Sequence, residues 1–144
     1  MPYVGDALRK LIEVQIPAVP ASQHLGWRCL EIDSERGTIA TQFEARSEFV
    51  NPGGMVQGGF LAAMLDNTIS AAIHATLEPN QYPVTLEINV SFIHPAKPGP
   101  LIGHGRVIHV GRSIGFLAGE LRTPDDVLIA TATATARIVE LRKD

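Results

Sequence analysis

The chain has 144 residues, 45% of them hydrophobic, and a formal net charge of −3 at pH 7. That length supports one globular domain with a real core, and the charge provides no basic field to draw it to nucleic acid or anionic lipid. A lone Cys29 excludes an internal disulfide and a cysteine-based zinc cluster; no apolar run nears the ~18 residues of a membrane span, and the N-terminus lacks the basic-then-apolar order of a secretory signal, so a soluble cytoplasmic protein is expected.

In chain order, Val4, Leu8, Leu11 and Ile12 predict a short amphipathic helix, ended near Pro17 and Pro20, over a segment 1–20 that can act as a lid. Ala18 to His24 reads as a connecting loop. Trp27 to Asp33 reads as a strand, Ser34 to Gly37 as a hairpin turn, and Thr38 to Ala45 as the partner strand. Ser47 to Gly54 is a loop.

From Gln57 to about Thr76 the pattern is helical. Leu61, Met64, Leu65, Thr68, Ile69, Ala72 and Ile73 make an apolar stripe to be buried. Gly59, Ala62, Ala63, Asp66 and Ser70 make a second stripe of small residues carrying one carboxylate. Gly58 and Gly59 leave free N–H groups at the positive end of the helix, where a carbonyl oxygen gaining charge can be held. A carboxylate and such a helix end are the makings of an acyl-transfer site.

The remainder reads as β-structure. Val84, Leu86, Ile88, Val90 and Phe92 alternate with Thr85, Glu87, Asn89 and Ser91. Pro95 to Pro100 breaks that strand. Strands over Leu101–Val110, Ser113–Arg122 and Val127–Val139 follow. Ala130, Ala132, Ala134 and Ala136 line one face of the last, opening room for a helix. An α+β fold is expected: one domain over 1–144, with an antiparallel sheet curled around one long central helix.

The order helix, two strands, long helix, four strands resembles the hotdog fold. The pattern Asn51-x5-Gln57-Gly58-Gly59-x6-Asp66 resembles the signature of hotdog acyl-CoA thioesterases of the phenylacetate-degradation type. The run Pro83 to Phe92 followed by Pro95-Ala-Lys-Pro-Gly99 fits their course, and the likeness covers roughly residues 25–140. It implies an acyl-CoA substrate, with coenzyme A entering only as part of it, and catalytic roles for Asp66, Gly58, Gly59, Asn51, Gln57 and Thr85.

Asp66 can activate water as a general base or attack the carbonyl itself; a solvated helix Asp is the plainer reading. Asn51 can orient water or the thioester, or simply serve a turn before Pro52. Gln57 stands where the family usually has His; an amide does not titrate near neutrality, so it can only cap or position. Ser70 lies one turn beyond Asp66, and Thr85 sits where relatives often carry a hydroxyl that positions water; an ordinary structural hydroxyl is the plainer reading of each. Phe60 is expected to line an apolar pocket, and Lys97, Arg106 and Arg112 to meet coenzyme A phosphates, against the alternative of solvated charges. His24, His74, His94, His104 and His109 show no i, i+4 pair, so no metal is expected.

Gly58 and Asp66 are eight residues apart, roughly 12 Å along a helix, too far to serve one carbonyl together. Two antiparallel copies of the helix would set Gly58 of one against Asp66 of the other, so a homodimer is expected; the resemblance implies shared sites, often in a dimer of dimers, a homotetramer. Two rival functions are a hotdog enoyl-CoA hydratase or dehydratase, which typically needs a His with a carboxylate, and a non-catalytic acyl-CoA-binding protein.

Overall fold

The computed structural model describes residues 19–141. The expected helix over Val4 to Ile12 lies outside the described residues. Ala18 to His24 is not all loop: α1 spans Pro20–His24, with proline presetting φ in its first turn. Ser22 ties it to the core, accepting from Asn67 Nδ2 at 3.2 Å. Gly26, at φ +64°, turns the chain into the sheet.

β1 (Arg28–Asp33) and β2 (Thr38–Ala45) form a hairpin. Asp33 Oδ1 closes its turn by accepting from the N–H groups of Glu35 and Arg36 at 3.1 and 3.0 Å. A short 3-10 turn over Ser47–Phe49 interrupts the following loop. Then come α2 (Gly58–His74), β3 (Gln81–Phe92), β4 (Gly99–Val110), β5 (Ile114–Arg122) and β6 (Leu128–Glu140). The strands make one antiparallel sheet in the order β1-β2-β4-β5-β6-β3, and α2 packs on one face of it. This is the hotdog arrangement.

The apolar stripe of α2 is buried as its periodicity predicts, from Leu61 through Met64, Leu65, Thr68, Ile69 and Ala72 to Ile73. Of the second stripe, Gly59 and Ala63 are exposed and Ala62, Asp66 and Ser70 half-buried. The alanines of β6 are buried, but closer approach to α2 comes from glycines on β4 and β5 that sequence reasoning left aside. A Cβ at Gly103 would lie 2.5 Å from Thr41 Oγ1 and 2.6 Å from Thr68 Oγ1; one at Gly119 would lie 2.6 Å from Ile69 Cγ2. The two threonines bond each other at 3.0 Å in the core. Thr68 gives its proton to Met64 O at 2.9 Å, so Thr41 is the donor between them. These buried hydroxyls are therefore satisfied.

β3 departs from strict alternation. Its pairing with β6 slips between Thr85 and Glu87, leaving Leu86 as the extra residue of a β-bulge. Before the bulge Pro83 and Thr85 share the face of Ile138 and Ala136; after it Ile88, Val90 and Phe92 share the face of Ala134, Ala132 and Ala130. Val84 and Leu86, expected on the apolar face, are 41% and 57% exposed. The bulge changes parity, so Thr85 and Ile88 look toward the same side.

Candidate active site

The parity change brings Thr85 onto α2. Its hydroxyl donates to Asp66 Oδ1 at 2.7 Å, a charge-assisted length. Ser70 Oγ, one helical turn along, lies 3.4 Å from Thr85 Oγ1. Because Thr85 spends its only proton on the carboxylate, Ser70 is the donor of that longer contact. Among the described residues the second oxygen of Asp66 takes no hydrogen bond, so it is open to accept a proton. Asp66, Ser70 and Thr85 thus form one half-buried cluster.

Gly58 and Gly59 begin α2. The first intrahelical donors are Phe60 N–H at 3.0 Å and Leu61 N–H at 3.4 Å, both to Gln57 O. Among the described residues the N–H groups of Gly58 and Gly59 have no acceptor, as expected at a helix start. The two glycines differ. A Cβ at Gly58 would meet the Phe92 ring at 3.0 Å, whereas one at Gly59 meets none of the described residues within 4 Å. Phe92, which sequence reasoning did not single out as functional, thus borders the helix end.

Gln57 is the N-cap residue, yet its side chain makes no cap hydrogen bond and is exposed. Its backbone N–H is anchored to Phe49 O at 2.8 Å. Asn51 holds its own loop: Oδ1 accepts from Gly53 N–H at 2.9 Å and Met55 N–H at 3.2 Å. Its amide nitrogen has no partner among the described residues. Phe60 stacks on buried Phe49, with centroids 4.1 Å apart and planes 8° from parallel, and is itself half-buried. It is anchored in the wall beside the helix start.

The three cations are not brought together. Lys97 follows Ala96, whose carbonyl accepts from Val56 N–H at 2.8 Å, so it flanks the loop entering α2. Arg106 follows Gly105, which faces α2 against Thr68, and so points to the opposite side of the sheet. There it lines a shallow groove with Thr38, His104, Glu120, Thr131 and Thr133. Arg112 sits in the β4–β5 turn, by Gly115 and Ile73 near the far end of α2. Of these three, only Lys97 lies near the glycine end of α2. No three of His, Cys, Asp and Glu gather as a metal site among the described residues, and no described helix is long and apolar enough to cross a membrane.

The family model of the thioesterase superfamily matches residues 53–130. Human acyl-coenzyme A thioesterase 13 is 25% identical over 122 residues, 84% of this chain and 86% of its own. The crystal structure of a phenylacetic acid degradation-related protein from Ralstonia eutropha JMP134 superposes with a TM-score of 0.83 at 39% identity, covering 94% of this chain and 98% of that one. The PaaI protein of the E. coli phenylacetic acid degradation operon has the same fold, with a TM-score of 0.84 over 96% of this chain and 99% of its own at 15% identity.

Proposed function

The chain belongs to the thioesterase superfamily and is a thioester hydrolase; on that premise we propose that it cleaves acyl-CoA to a free acid and coenzyme A, with Asp66 as the reacting carboxylate. The observation that carries this reading is the 2.7 Å bond from Thr85 to Asp66 Oδ1. It holds one carboxylate oxygen while leaving the other open toward a reactant.

In the hydrolytic route Asp66 takes a proton from water as the water oxygen bonds to the thioester carbon. The carbonyl oxygen becomes negative and is held by the N–H of Gly58 or Gly59, which also lies at the positive end of α2. Collapse breaks the C–S bond, and the proton on Asp66 passes to the departing sulfur. In the covalent route an Asp66 oxygen bonds to the thioester carbon as the C–S bond breaks and the coenzyme A thiolate leaves; water then cleaves the mixed anhydride to the free acid and the regenerated carboxylate, and the proton released goes to the thiolate. Both use the same open oxygen. Gln57 contributes no proton and serves only to position, as does the free amide nitrogen of Asn51.

One subunit does not complete this site, because its glycine end and its Asp66 stand roughly 12 Å apart. A two-fold dimer with antiparallel helices supplies Gly58 from one copy and Asp66 from the other. Two features support it. Gly59 is glycine although no described residue comes within 4 Å of where its Cβ would stand, which suits close approach by a second chain. β3 is an edge strand of twelve residues with Val84 and Leu86 exposed, the kind of edge that pairs with another strand.

The test is Asp66→Asn, which keeps shape and removes the base. Cleavage of a panel of acyl-CoA thioesters, followed by thiol release, should fall by ~10²-fold or more, with the fold unchanged by circular dichroism. Hydrolysis retained above about a tenth of wild type would remove Asp66 from the reaction. The same panel, from acetyl- to long-chain and aryl-CoA, identifies the acyl group.

A further inference from the structure

From the placement of one exposed aromatic ring we infer that Phe92 determines acyl-group specificity, forming the apolar wall at the glycine end of α2 against which the acyl chain packs. This rests on the acyl-CoA thioesterase reading above. Phe92 closes β3, paired with Ala130, and the next residue is pinned by Ile93 N–H to Ile129 O at 2.8 Å. Its position is therefore set by the sheet. Its ring reaches to the helix start end-on. A Cβ at Gly58 would lie 3.0 Å from Cζ, 3.2 Å from Cε1 and 3.4 Å from Cε2. Yet the residue is 55% exposed.

A phenyl ring left half in water beside the N–H donors of the helix start offers a flat apolar surface to one substituent of the thioester carbon. That substituent is the acyl group, because the pantetheine arm on sulfur carries amides and a phenyl ring gives them no hydrogen-bond partner. The contact grows with apolar area, so it favours aryl and medium-chain acyl groups over acetyl.

Gly58 is tied to the same arrangement. Alanine there keeps the N–H and suits a helix, but its methyl must displace the ring, whose tip is free to swing into solvent. Gly58→Ala should therefore imitate loss of Phe92.

The experiment compares kcat/KM for acetyl-, hexanoyl- and phenylacetyl-CoA in wild type, Phe92→Ala, Phe92→Leu, Phe92→Tyr, Gly58→Ala and the double variant Gly58→Ala/Phe92→Ala, with Asp66→Asn alongside. Phe92→Ala should lose about tenfold or more on hexanoyl- and phenylacetyl-CoA, the scale of a lost apolar pocket contact, and less than about threefold on acetyl-CoA. Phe92→Tyr, which keeps the ring, should retain the wild-type preference, and Phe92→Leu should fall between. Gly58→Ala should shift the preference as Phe92→Ala does, and the double variant should be no worse than Phe92→Ala alone, the mark of two changes acting through one contact. Equal losses on all three substrates, or unchanged selectivity with an altered oligomeric state by sedimentation, would overturn the assignment and make Phe92 a subunit contact. Should Asp66→Asn be inactive while Phe92→Ala keeps its selectivity, this inference alone falls. Should Asp66→Asn hydrolyse normally, the reading beneath it falls too.

Discussion

Asp66 has one oxygen engaged by Thr85 and the other without a partner among the described residues, and that asymmetry sets the order of mutational effects around it. Gln57 lies outside the cluster, exposed and without a side-chain hydrogen bond among the described residues. Gln57→Ala should therefore cost less in kcat than Asp66→Asn, and Gln57→His should be tolerated; steady-state rates on one thioester are sufficient. A loss equal to that of Asp66→Asn would give the amide a larger part than positioning. His74 supplies a different residue-scale test. Burial holds its pKa below the ordinary 6.5, although the C-terminal end of α2 favours a cation, so desolvation is the larger effect. The sign follows by linkage. Below 6.5 the unfolded chain takes up a proton that folded His74 resists, so its contribution is full above that pH and is lost as pH falls. Urea midpoints measured between pH 7.5 and 5 should decline, and His74→Phe should decline less steeply. Identical slopes would show that other groups govern the acid side.

At the scale of elements, the helix–sheet contact depends on what β4 and β5 lack. Thr41 and Thr68 occupy the space a side chain at Gly103 would need, and both are fully buried. Gly103→Ala should destabilise the domain by ~1–3 kcal/mol through overpacking, read as a lower denaturation midpoint with an unchanged slope. A wild-type midpoint would mean that α2 can lift from β4 at little cost. The β-bulge at Leu86 is the other decisive element feature. It increases local twist and turns Thr85 toward the helix without moving Ile88 or Val90 out of the core.

For the whole molecule the proposed shared site makes a quantitative prediction. One subunit carries Asp66→Asn; another carries Gly58→Pro, which a helix's first turn tolerates but which removes the N–H. Each homodimer lacks one group in both sites and should be nearly inactive. In a mixed dimer one site combines the intact Gly58 of the first with the intact Asp66 of the second. Unfolding and refolding the pair together should give about half mixed dimers and roughly a quarter of wild-type activity. A mixture as inactive as its parents, with mixed dimers demonstrated by mass, would rule out the antiparallel arrangement. Circular dichroism must show that Gly58→Pro folds; an active Gly58→Pro homodimer would move the donor to Gly59.

Periodicity alone determined which side of α2 is buried, and turn chemistry placed the β1–β2 hairpin within a residue at either strand, because both are local properties of the chain. The placement of Gly58, Gly59 and Asp66 on one helix was legible for a similar reason, since it needs only the spacing of residues along α2. The tertiary structure decided what depends on distant partners. Strict alternation put Thr85 opposite Ile88, and only the slip in pairing with β6 turned it toward Asp66. Gly103 read as an ordinary strand residue until Thr41 and Thr68 arrived beside it. Arg106 was expected to meet coenzyme A phosphates and came to face away from α2, since a residue's face is set by its neighbours' register. Phe92 read as one more apolar position of β3. Its exposure beside Gly58 exists only where the end of that strand crosses the start of the helix, a juxtaposition of residues thirty-four apart that no local pattern encodes.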